Sequence, residues 1–195
     1  LPICKNTALT SLDCQHNLLT TLDVNASLIN LNCIYNKLKA LDVSKTTALT
    51  SLDCRYNQLA TIDVNTALTS LDCESNQLVT LEANTSLIDL KCSGNNLTTL
   101  DLSKNTALTD LNCQDNQLTT LDVSKNTALT SLDCYDNKLP VLDVSKNTAL
   151  TSLDCFKNQL TTLDVSKNAA LTSLDCESNL LTTLDVSKNT ALTSL

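Results

Sequence analysis

Apolar residues recur along this chain at intervals that no amphipathic helix would produce. In the stretch that begins at Leu129 they are Leu129, Leu132, Cys134, Leu139, Leu142 and Val144. Leu132 and Cys134 alternate with the polar Ser131 and Asp133, the period-two signature of a strand with one buried face. Leu142 and Val144 repeat the alternation after a turn. Nowhere does the i, i+3, i+4, i+7 spacing of a buried helical face persist, so little helix is expected. The same apolar positions return in nine complete units: 9–27, 28–48, 49–67, 68–86, 87–107, 108–128, 129–149, 150–170 and 171–191. Three units have 19 residues and six have 21, while 1–8 matches the end of a unit and 192–195 the start of one. A single unit cannot bury its apolar face, so the units must stack, with equivalent residues ~4.8 Å apart along a parallel sheet. The pattern predicts one solenoid over 1–195, right-handed and curved, with a parallel β-sheet on its concave face. Its convex side should be extended or irregular.

Counted from its first leucine, every unit carries Cys at position 6 and Asn at position 9. The cysteines are Cys14, Cys33, Cys54, Cys73, Cys92, Cys113, Cys134, Cys155 and Cys176. Zinc sites need thiol pairs two to four residues apart, and none occurs here, so no metal is expected. Stacking should instead line the thiols up as an inward ladder, each packing as a small hydrophobe. Their odd number and the in-register strand spacing disfavour disulfides. In an apolar slot a hydroxyl at position 134 would lack a partner. Cys4 lies off the ladder. The recurring Asn, from Asn17 to Asn179, offers donor and acceptor to the turn that leaves each strand.

The string LxxLxCxxNxLxxLxVxxN resembles a leucine-rich repeat in which Cys replaces the usual third apolar residue. The 21-residue form ending in DVSKNTAL is similar to repeats of the internalin family of listerial surface proteins. It is also similar to repeat arrays on surface proteins of Bacteroidetes-type bacteria. The resemblance covers essentially the whole chain and implies a bacterial setting, secreted or on the cell surface, with adhesion through protein binding. No capping module and no cell-wall sorting motif is recognisable, so an excerpt of a longer protein or a bare array is expected. Uncapped termini would then be open to end-to-end self-association.

Composition removes most enzyme classes. With one glycine, Gly94, a glycine-rich phosphate loop is impossible, and with one histidine, His16, so is a His-pair metal site. No cofactor is called for. A net charge of −8 argues against nucleic acid and anionic membrane as partners, and no apolar run is long enough to span a bilayer.

The charges sort by position. Nine of the 21 acidic residues stand at position 15, on the convex side, where the lysines of the SKN segments largely offset them. The other twelve stand at positions 3, 5, 7 or 8, on the concave strand and its exit, against only Arg55, Lys91 and Lys157. Asp53, Asp72, Asp133, Asp154 and Asp175 form rows there. A flat row of carboxylates does not wrap a cation, so Ca²⁺ is a weak reading of them. All four aromatics lie in the variable pair after Cys: Tyr35 and Tyr56 at position 8, Tyr135 and Phe156 at position 7. Each pair occupies adjacent units and should form a couple on the concave face, typical of anchors for protein or sugar ligands. The candidate site is therefore Tyr35, Asp53, Arg55, Tyr56, Asp72, Asp133, Tyr135, Asp154, Phe156 and Asp175. Two functional classes remain open. One is an adhesin-like module binding a protein or glycan on another cell; the other is a spacer that displays a further domain.

Overall fold

The computed structural model describes residues 1–195. Its strands are short, three residues each: β1 (Ser11–Asp13), β2 (Asn30–Asn32), β3 (Ala40–Asp42), β4 (Ser51–Asp53), β5 (Thr61–Asp63), β6 (Ser70–Asp72), β7 (Asp89–Lys91), β8 (Asp110–Asn112), β9 (Ser131–Asp133), β10 (Ser152–Asp154) and β11 (Ser173–Asp175). Nine of them form one parallel sheet in the order β1-β2-β4-β6-β7-β8-β9-β10-β11. Pairing is in register, so Leu132 lies opposite Leu111 on one side and Leu153 on the other. The return side is extended, with strand pairing between β3 and β5 and an isolated bridge between Pro2 and Asp23. No helix is present. The chain is the parallel solenoid that its apolar pattern predicts, with the architecture that the resemblance to leucine-rich repeats implies.

The six apolar positions of a unit converge on a single interior. In the unit beginning at Leu129, none of Leu129, Leu132, Cys134, Leu139, Leu142 and Val144 is more than 4% exposed. The thiols from Cys33 to Cys155 are fully buried between strands, with Cys14 nearly so and Cys176 half-buried at the end. Burial pushes each of these thiols up from its ordinary value, Cys92 to about 12, so none is a nucleophile at neutral pH. One expectation needs correction. The slot is not wholly apolar: Cys134 Sγ lies 3.4 Å from the carbonyl oxygen of Asp154 in the next repeat, and Cys155 Sγ 3.3 Å from that of Asp175. That carbonyl already accepts from the cysteine's own backbone N–H. It retains a lone pair, so a hydroxyl at position 134 would find an acceptor.

Asparagine completes the turns. Asn137 Nδ2 donates to the carbonyl of Cys134 at 3.1 Å and to that of Cys113 in the preceding repeat at 3.0 Å. Its Oδ1 accepts from the N–H of Leu118 at 2.9 Å. Equivalent bonds recur from Asn36 to Asn179. A second asparagine ladder, unforeseen, runs along the return turn. Asn147 Nδ2 donates to Val123 and Asn126 carbonyls at 3.0 and 2.8 Å, and Asn168 does the same one repeat later. Its signal was the Asn of each SKN segment, which reads as an ordinary turn residue.

Repeat length shows in this second ladder. In the 19-residue units the amide oxygen accepts a backbone N–H two residues on, as from Ala67 to Asn65 at 2.7 Å. In the 21-residue units the added Ser-Lys reshapes the turn, and the Oδ1 atoms of Asn126, Asn147 and Asn168 have no protein partner.

Two outcomes follow for stability. Asn137→Ala orphans the buried N–H of Leu118, while the Cys134 and Cys113 carbonyls keep the amides of Asn158 and Asn116, so urea unfolding should show a loss of about 1–3 kcal/mol. Cys134→Ser and Cys134→Ala should each cost only about 1–2 kcal/mol, because the serine hydroxyl bonds the Asp154 carbonyl. Neither reductant nor chelator should move the wild-type midpoint, and a shift with chelator would contradict ladder packing.

Candidate functional site

Each repeat presents outward positions 3 and 5 on its strand, then positions 7 and 8 where the chain leaves the sheet. Position 8 adopts left-handed backbone in every unit, with φ between 47° and 61° from His16 to Ser178. Only Gly94 among them is glycine. Left-handed backbone costs other residues roughly 1–2 kcal/mol, and bulky ones adopt it rarely. The asparagine ladder beside it holds the turn in place at every repeat. Because this backbone repeats, each Cβ at position 8 leaves in the same direction, and large side chains there must stack in register.

Tyr35 and Tyr56 do so. Their rings lie 4.3 Å apart and within 3° of parallel, and the two residues are 46% and 42% exposed. His16, which entered the sequence reading only as the lone histidine that excludes a His-pair metal site, lies on the other face of Tyr35 at 4.7 Å and 20°. The signal was available: His16 occupies position 8 of the first unit. Tyr135 and Phe156 also meet, at 5.1 Å, but tilted by 46° and half-buried, since position 7 is on the strand exit. The two aromatic couples are thus separate features of the same face.

The acidic rows divide in two. Arg55 donates from Nε and Nη2 to both carboxylate oxygens of Asp53, at 3.0 and 2.7 Å, and its Nε lies 3.2 Å from Asp72. The Asp53–Asp72 row is therefore largely neutralised from within, and Arg55 is committed to it. Even so, burial holds the Asp72 carboxyl up at about 7, with Glu74 and Asp53 adding to the effect and Arg55 opposing it. Asp133, Asp154 and Asp175 have no cationic side chain within ion-pair distance, whereas Lys157 pairs with Asp136. Burial raises Asp133 to about 6 and Asp154 more modestly. Each of the three also accepts a backbone N–H two residues on, from Tyr135, Phe156 and Glu177. Between the two rows, Glu74 accepts a bond from Asn112 Nδ2 at 3.3 Å, across the intervening repeat. That contact spans two repeats and was not legible from position alone. No group of His, Cys, Asp and Glu side chains is arranged to hold a metal ion.

No protein-family model and no curated protein sequence matches the chain. Solved structures do. The functional domain of InlJ from Listeria monocytogenes, which includes a cysteine ladder, is 46% identical with a TM-score of 0.96. That match covers 100% of this chain and 45% of the other. YopM, a leucine-rich effector protein from Yersinia pestis, is 26% identical with a TM-score of 0.77, over 91% of this chain and 50% of that one. A leucine-rich repeat protein of Leptospira interrogans, 23% identical over 87% of this chain and 54% of its own, shares the fold with a TM-score of 0.69. The chain spans about half the length of each of these. In repeat, register and thiol ladder, it is a leucine-rich repeat protein of the cysteine-ladder kind, similar along its whole length to part of the InlJ domain.

Proposed function

We propose that this solenoid is an adhesin-like binding module, secreted or on a cell surface, whose concave face engages a protein or glycan displaying cationic groups. The observation that carries the reading is the exposed stack of Tyr35 and Tyr56 standing in left-handed backbone on an acidic face. Nothing in folding requires rings at those positions, where the repeats from Ser75 onward carry Ser, Gly, Asp or Lys. Uncommon backbone occupied by bulky exposed rings fits selection for contact. Tyr56 and Tyr135 stand four repeats apart, roughly 19 Å at the parallel-strand spacing, which suits an extended partner. The unpaired Asp133–Asp154–Asp175 row would select cations and speed encounter.

A binding screen of the array against candidate surface proteins and glycans tests this. Tyr35→Ala and Phe156→Ala should each weaken the bound partner by about 30-fold or more, the loss of a ~2 kcal/mol anchor, without altering the fold. Asp154→Asn should mainly flatten the salt dependence of association. A partner indifferent to all four rings would refute the site, and an array that binds nothing would favour a spacer.

The raised Asp133 gives a second outcome with opposite signs for folding and binding. At about 6 when folded against about 3.9 unfolded, this carboxyl holds its proton more tightly in the native protein. Its contribution to stability is fully present below the unfolded value and lost as pH rises through 6. The melting temperature should therefore decline between about pH 4.5 and 6.5, less steeply in Asp133→Asn. Binding of a cationic partner needs the ionised carboxylate and should strengthen across the same window.

A further inference from the structure

The ring stack ends abruptly. His16, Tyr35 and Tyr56 occupy position 8 in three consecutive repeats, each ring lying on the next at 4.7 and 4.3 Å. The next two position-8 residues are Ser75 and Gly94, in the same left-handed backbone, with φ of 53° and 61°. A Cβ built on Gly94 would stand 3.4 Å from Ser75 Oγ, so these positions are direct neighbours along the row. Tyr35 covers one face of the Tyr56 ring. Beyond its other face, side chains shrink to a hydroxymethyl and a hydrogen, leaving a slot one to two layers deep.

The edge of this slot carries the carboxylate of Glu74, which Lys91, on the strand between Asp72 and Asn112, does not pair. Glu74 immediately precedes Ser75 and is half-buried, with one oxygen held by Asn112 and no ion pair. Arg55, which stands beside Tyr56 in sequence, is tied to Asp53 and Asp72. Past Gly94 the row continues with Asp115, whose carboxyl is raised by burial and by the nearby Asp136. An occupant must therefore be flat enough to continue the stack, and positively charged at its rim. A guanidinium meets both conditions: it stacks on an aromatic face and directs in-plane N–H groups at carboxylates. An ammonium is a point charge with no face to stack.

We propose that the slot between Tyr56 and Asp115, floored by Ser75 and Gly94 and edged by Glu74, takes an arginine side chain from an extended segment of a protein partner. This rests on the concave face being a binding surface, and it names the chemistry recognised at one point of it. The guanidinium forms the fourth layer of the His16–Tyr35–Tyr56 stack and bonds the free oxygen of Glu74. The partner backbone then runs along the face toward Asp133 and Tyr135.

The probe is a blocked pentapeptide, Ser-Gly-Arg-Gly-Ser, titrated into the whole chain and followed by NMR at the Tyr56 ring and the Ser75 and Gly94 amides. Those signals should shift together. Replacing arginine by the isosteric, neutral citrulline should weaken binding by about tenfold or more, and lysine should bind more weakly than arginine. Ser75→Tyr places a further ring in the slot, in backbone that already carries Tyr35 and Tyr56, and should abolish the shifts. Glu74→Gln, which leaves the stack intact, should weaken them by about tenfold. Equal binding of arginine and citrulline, or shifts centred on Tyr135 and Phe156, would overturn the proposal. If Ser75→Tyr leaves partner binding intact while Phe156→Ala destroys it, the slot fails and the binding face stands. If the peptide binds in the slot but no partner depends on the rings, the slot stands and the wider reading fails.

Discussion

The structure depends on one translation. Each repeat sits on the last in parallel register, about 4.8 Å along the axis, so any residue at a given position meets its own equivalents above and below. Only groups that are favourable next to copies of themselves can occupy the interior. Leucine meets this through dispersion and thiols through their small size. Asparagine meets it because its amide is both donor and acceptor, and bonds the turns on two levels at once. Carboxylates do not, and they sit at the surface, where partial burial still raises Asp133 and Asp154.

The asparagine ladder also allows a chain with one glycine to turn left-handed at every repeat. Side chains that would ordinarily avoid this backbone are held there by bonds made at the adjacent Asn. That frees position 8 from the demand for glycine and opens it to variation. His16, Tyr35 and Tyr56 use this freedom, and because direction is set by the shared φ, similar side chains in successive repeats become a stack. The feature put forward as functional thus follows from the same constraint that builds the core.

Charge on the face is organised by which cations are committed. Arg55 is bound to Asp53 and Asp72, and Lys157 to Asp136, leaving the Asp133–Asp154–Asp175 row and Glu74 without a cationic partner in the chain. Net charge alone would have treated these carboxylates alike. A face with rings at two places and unpaired carboxylates beside each has the complementary features of a surface that reads a basic, extended ligand.

By itself, the sequence determined the period, the strand positions, the inward thiols and the pairing of aromatics, because all of these follow from spacing in a structure whose neighbours are set by the repeat. A periodic pattern with no helical face leaves few ways to bury 41 leucines. Tertiary structure decided what lies between side chains of different positions. It showed that a carbonyl of the next repeat stands beside the thiols of Cys54, Cys73, Cys134 and Cys155, and that the SKN asparagines form a second buried ladder. It showed that Arg55 quenches one acidic row, and that His16 extends the tyrosine stack. These depend on angles and reach in three dimensions, which a position number does not carry. Equivalent residues meet by translation and can be read from spacing; unlike residues meet by geometry and must be seen.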